Sequence, residues 1–116
     1  MKIVFNTLEL DDTVANDVCT LLYTSLDNAI ENINNDHKYI KVFIERNDNM
    51  LIIRVINSAK QNVLINNPNL RTTKKDKNIH GFGIRNMKTV AAKYNGYVYF
   101  SQSYIEFECK IIIPIS

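Results

Sequence analysis

Glycine is scarce in this chain, with three among 116 residues, and two of them stand one residue apart in "HGFGIRNM" (80 to 87). Long apolar runs are missing: no stretch of about 18 apolar residues and no signal-like segment occurs, which argues against a membrane span or secretion and predicts a soluble domain. Charge of one sign is not in excess. A formal net charge of +2 with no aromatic-rich basic face argues against a nucleic-acid binder. The only cysteines, Cys19 and Cys109, lie far apart and lack ligand spacing, which argues against zinc and predicts ordinary buried thiols in a reducing compartment.

What is present is enough chain for one hydrophobic core, at 46% hydrophobic content and without repeats, so residues 1–116 are read as a single domain. Residues 2 to 6 read as a strand. Asp11, Asp12 and Thr13 supply helix-start chemistry, and Val14, Val18, Leu21, Leu22, Ala29 and Ile33 recur at helical spacing, predicting one long amphipathic helix that ends near "NND". Residues 39 to 46 and 50 to 57 alternate as strands, joined by a hairpin at "RNDN". From about 58 to 80 the chain turns polar and basic (Lys60, Arg71, Lys74, Lys75, Lys77), a length typical of lids and binding loops. Ile84, Met87, Val90, Ala91 and Tyr94 mark a second helix stopped by "NG" at 95 and 96, and strands follow at about 97 to 102 and 105 to 113. That order predicts an α+β fold, with helices on one face of a mainly antiparallel sheet.

Some polar residues occupy places where apolar ones belong. Thr24, Asn28, Glu31 and Asn35 form a polar stripe along the first helix, and at roughly 100° per residue Asn28 points within roughly 40° of both Val14 and Leu21. Half buried, its carboxamide needs partners, because an unsatisfied buried polar group costs on the order of 1–3 kcal/mol. Neighbouring backbone or Glu31 would serve; so would a ligand. Asn57 continues the inward phase of Leu51, Ile53 and Val55, and its amide can both accept and donate, which matches the edge of adenine. A turn-capping role is the alternative. The inward asparagines, the basic lid and the Gly-x-Gly helix start are together what a purine nucleotide with a metal-bound triphosphate requires.

Here the motifs acquire a family. "LLYTSLDNAIEN" (21 to 32) resembles the N box of the GHKL ATPases, the group of DNA gyrase, sensor histidine kinases and the mismatch-repair ATPase. "IRVINSA" (53 to 59) resembles their first glycine box, and "TTKKDKNIHGFGIRNMKTVAAKYNG" (72 to 96) their lid and second glycine box. Among the branches the chain looks most like the ATP-binding domain of AgrC/VirS-type peptide-sensing histidine kinases. The resemblance implies the Bergerat fold, a two-layer α/β sandwich with a mixed sheet, and ATP with Mg2+ as ligands.

It also implies roles. Asn28 becomes the magnesium ligand bridging to the phosphates, with Asp27 and Glu31 tuning or coordinating through water. Asn57 holds adenine where most members carry Asp, and Ala59 and Gln61 stand where the glycines of D-x-G-x-G are expected. Thr72, Thr73 and Lys74 match the lid motif, Lys74 as a phosphate contact. The backbone of Gly81 and Gly83 approaches the phosphates, and His80 lies within reach of them.

In hydrolytic members a Glu one turn before the magnesium Asn activates water; here the residue is Thr24, a poor general base near neutral pH. A neutral imidazole needs no such base, so the pattern favours phosphoryl transfer to histidine. His37 and His80 do not sit on a helix beside an acidic residue, so the acceptor is expected on a dimerisation domain outside this chain. The expected whole is a homodimeric, membrane-bound kinase with this domain in the cytoplasm and a response regulator downstream. Alternatives are a degenerate interaction module, favoured by the weakened first glycine box, or an anti-sigma-factor-like serine kinase, disfavoured by Thr24.

Overall fold

The structure is a computed structural model that describes residues 2–5, 10–59 and 83–115. Helix α1 (Asp12–Asn32) starts where Asp11 adopts an extended backbone and its Oδ1 accepts from Val14 N at 2.9 Å, satisfying one of the helix's orphan donors. Its end has neither glycine nor proline; Ile33 turns extended and is captured by the sheet, pairing with Ala59, while Asn34 N donates to Ser58 O at 2.9 Å. The helix therefore stops short of "NND", and Asn35 leaves the polar stripe for solvent.

Strand β1 (Lys2–Phe5) lies parallel to β2 (Ile40–Asn47), and β2 forms a hairpin with β3 (Met50–Ser58) in which Asn47 opposes Met50 and Asp48 takes a left-handed φ of 54°. Helix α2 (Gly83–Ala92) leads to β4 (Tyr97–Gln102) and β5 (Glu106–Pro114). The five strands run in the order β1-β2-β3-β5-β4, with every pair but the first antiparallel. One sheet face carries Val42, Ile44, Leu51, Ile53, Val55, Ile111 and Ile113, which bury against Val18, Leu21 and Ala29 of α1 and Met87 of α2. This is the expected two-layer α+β sandwich. β3 ends the expected strand one residue later, at Ser58, so with Ala59 bridged the polar segment begins beyond the expected 58.

Asn95, with φ of 58°, closes α2, and Gly96 N returns to Ala91 O at 2.9 Å. Gly96 is glycine for space: a Cβ there would meet Ile112 O at 2.4 Å. Next to this turn the Tyr94 hydroxyl donates to Asp17 Oδ2, and Lys93 Nζ lies 2.9 Å from the same oxygen, tying the end of α2 to α1. The Tyr94 hydrogen bond first, then Lys93, holds the Asp17 carboxyl below its ordinary 3.8. A depressed folded-state pKa contributes stability that is present above the unfolded value and lost as pH falls through the folded one. Thermal unfolding should therefore move to lower temperature on acidification below about pH 4, with a shallower fall in Asp17→Asn.

The cysteines split. Cys109 is buried, and desolvation pushes its thiol up to about 12. Cys19 is exposed, correcting the expectation of two buried thiols; one residue past Val18 it is rotated roughly 100° off the apolar stripe.

Candidate functional site

At one end of the sandwich the second half of α1, the last residues of β3, the start of β5 and the start of α2 converge. Thr24 packs so closely on α2 that a Cβ at Gly83 would come 3.2 Å from its Cγ2. Gly83 has no positive φ. Its lack of a side chain thus lets two helices touch, at the first turn of α2, which carries no acidic residue. Ala59 and Phe107 are buried with Ile84 and Phe100 against them, giving this end an apolar wall.

Into it project two asparagines. Asn28 is 7% exposed and Asn57 is 0% exposed. The buried polar residues of the described chain are Ser25, Asn28, Asn57 and Ser58. The serines are satisfied: Ser25 Oγ donates to Leu21 O at 2.6 Å, and Ser58 Oγ accepts from Tyr39 N at 3.2 Å. Each asparagine keeps one buried atom without a partner among the described residues, Asn28 Nδ2 and Asn57 Oδ1. An unmet buried polar group costs about 1–3 kcal/mol, so two at one end of a fold are the pattern of a site awaiting a ligand.

The bonds they do make define what each can offer. Asn57 Nδ2 donates one of its two hydrogens to Ser58 O at 2.9 Å, and Oδ1 is the atom left without a partner. Asn28 Oδ1 accepts from Asn32 Nδ2 at 3.1 Å, so its protein partner is Asn32, not Glu31 as one sequence reading had it. Sequence reasoning missed Asn32, although two asparagines four apart on a helix are a readable pairing signal. It also missed Phe107, and it used Ile84 only to mark the second helix.

Thr24 Oγ1 donates to Thr20 O at 2.9 Å, so its hydroxyl proton serves the helix backbone. Glu31 is half-buried on α1 near Asn28. His37 is exposed, with its ring edge-on to Tyr39 at 5.5 Å, a surface residue as expected. Thr72, Thr73, Lys74, His80 and Gly81, with the rest of segment 60–82, lie outside the described residues. Among the described residues no group of three or more His, Cys, Asp or Glu side chains could hold a metal. A cation here would rest on Asn28, phosphate oxygens and water, a set that suits magnesium, which keeps much of its hydration.

A model of the GHKL domain matches residues 14–114. The chain belongs to the GHKL family. GHKL domains bind ATP, and the orphan asparagine atoms of this one lie within the matched residues. No curated protein matches the sequence significantly. In fold, this GHKL domain is similar to the catalytic domain of histidine kinase ThkA, with a TM-score of 0.69 and 16% identity over 97% of this chain and 77% of that one. Acinetobacter baumannii histidine kinase AdeS gives 0.71 and 14%, covering 99% of this chain and 53% of that one. The histidine kinase domain of a blue-light-activated kinase from Erythrobacter litoralis gives 0.68 and 15%, covering 98% and 50%. The chain thus spans about half the length of the latter two. No helix among the described residues is long and apolar enough to cross a membrane.

Proposed function

We propose that this GHKL domain is the catalytic module of a sensor histidine kinase of the AgrC/VirS-type peptide-sensing group. It binds Mg-ATP and transfers the γ-phosphoryl to a histidine on a dimerisation domain. The observation that supports the reading is the pair of orphan atoms, the donor Asn28 Nδ2 and the acceptor Asn57 Oδ1. Asn57 Oδ1 accepts from the adenine amine, and the buried Ala59 and Phe107 with Ile84 keep water from the base. Asn28 meets the phosphates, and the first-turn N–H groups of α2 face their negative charge. Bound Mg2+ would neutralise phosphate oxygens, with Asn28 Oδ1 as the chain's own ligand and Glu31 acting through water. Thr72, Thr73, Lys74, His80 and Gly81 would complete the phosphate side.

In the transfer, the bond from the γ-phosphorus to the β–γ bridging oxygen breaks and a bond to an imidazole nitrogen forms; ADP leaves and the imidazole gives up its proton. The chain's contribution is positioning and charge shielding. Thr24 would be a poor base for water attack, because a hydroxyl has little basicity near neutral pH. Such a domain would work in the cytoplasm within a homodimeric, membrane-bound kinase that passes phosphate to a response regulator. Titration of ATP with and without magnesium, followed by assay of a histidine-bearing dimerisation domain for acid-labile phosphate, tests the proposal. Magnesium-dependent binding and phosphohistidine are expected. No binding at millimolar ATP would overturn the proposal and leave a module that signals by contact.

A further inference from the structure

We infer that Asn32 is a positioning residue that sets which end of the Asn28 carboxamide faces the nucleotide. This inference rests on the nucleotide-binding reading above and deepens it. Asn32 lies one helical turn beyond Asn28, in the last position of α1. Its Nδ2 is 3.0 Å from the Asn28 carbonyl oxygen and 3.1 Å from Asn28 Oδ1. A carboxamide has two ends of nearly equal shape and opposite polarity, and turning it over exchanges a donor for an acceptor. Were Asn28 turned over, its Nδ2 would face Asn32 Nδ2, donor against donor. Asn32 therefore holds Oδ1 on its own side and leaves Asn28 Nδ2 as the buried end without a partner.

The consequence is chemical. The unpartnered donor suits a phosphate oxygen, while Oδ1, which accepts one bond from Asn32, retains a second lone pair for a cation. One side chain can thus serve both the phosphate and its metal, provided its orientation is fixed beforehand. Without Asn32 the amide is free to present either end, and part of the population opposes oxygen to phosphate. The bend of the chain into the sheet at Ile33 and Asn34 keeps Asn32 beside Asn28 at the helix end.

The test compares wild type, Asn32→Ala and the isosteric Asn32→Asp, measuring ATP affinity with and without magnesium and thermal unfolding of each. Partners that orient a metal ligand are worth about 10- to 100-fold in metal affinity. Asn32→Ala should weaken Mg-ATP about tenfold and shrink the ratio of magnesium-bound to metal-free affinity, while the domain stays folded. Asn32→Asp, which can accept from Asn28 Nδ2 but not donate to Oδ1, should turn the amide over and weaken metal-free ATP as well, since the phosphate loses its donor. Unchanged affinities and ratio in both variants overturn the inference while the nucleotide reading stands. So does a loss in Asn32→Ala that is equal with and without magnesium and matched by a lower unfolding temperature, since that marks a weakened helix end. Failure of the wild type to bind ATP would instead overturn the nucleotide reading, and the inference with it.

Discussion

Asn28→Ala is expected to abolish magnesium-dependent ATP binding while leaving the free domain at least as stable as before. The two halves of that result separate a ligand-binding residue from a structural one. In the free protein Asn28 Nδ2 is buried and unpartnered, so its removal relieves a cost of about 1–3 kcal/mol. Alanine also favours the helix interior over asparagine by about 0.5 kcal/mol. Against this stands the bond from Asn32 Nδ2 to Oδ1, and Asn32 keeps its contact with the residue 28 carbonyl at 3.0 Å. The unfolding temperature should hold or rise by a few degrees. Binding loses both a hydrogen bond to a charged phosphate, about 1.5–3 kcal/mol or roughly 10- to 150-fold, and an oxygen ligand for the cation. Calorimetric titration beside thermal unfolding checks it. A fall in stability with binding retained would make Asn28 a core residue and remove the principal support for the kinase reading.

Base selectivity follows from Asn57. Its Nδ2 is anchored by donating to Ser58 O at 2.9 Å, so the atom left without a partner is the buried acceptor Oδ1. The adenine amine is a donor at the corresponding edge, whereas guanine presents a carbonyl there. Two facing acceptors in a buried site leave both unsatisfied, so ATP should bind more tightly than GTP by about 100-fold, the equivalent of about 2–3 kcal/mol. Asn57→Leu, close in volume, should weaken ATP about 10- to 100-fold and bring the ATP to GTP ratio toward one. Stability should change little: the orphan acceptor disappears, and Ser58 O keeps its bond from Asn34 N at 2.9 Å. A ratio near one in the wild type would place the base elsewhere.

Much of this was legible in the chain because local periodicity reports which way a side chain points. The Asp11 cap, the alternation along β2 and β3 and the inward phase of Asn28 and Asn57 depend only on near neighbours, and the structure realises them. The misreadings lie where an outcome depends on distant residues. The end of α1 was placed at a polar cluster, yet the sheet ends it earlier by pairing Ile33 with Ala59. Gly83 was read wholly as a phosphate contact, and its closeness to Thr24 adds a packing reason that exists only once α1 and α2 meet.

The sequence by itself determined the order of elements, the faces they bury and the two polar residues that break those faces. Each of these follows from the spacing of side chains along one helix or strand. Only the tertiary structure decided which atoms of those residues are left without a partner. Hydrogen-bond satisfaction is a sum over neighbours drawn from several elements, and a carboxamide's free end is settled by whichever neighbour takes the other. Asn32 claims the oxygen of Asn28 and the Ser58 carbonyl claims the nitrogen of Asn57, so the site presents a donor at one end and an acceptor at the other.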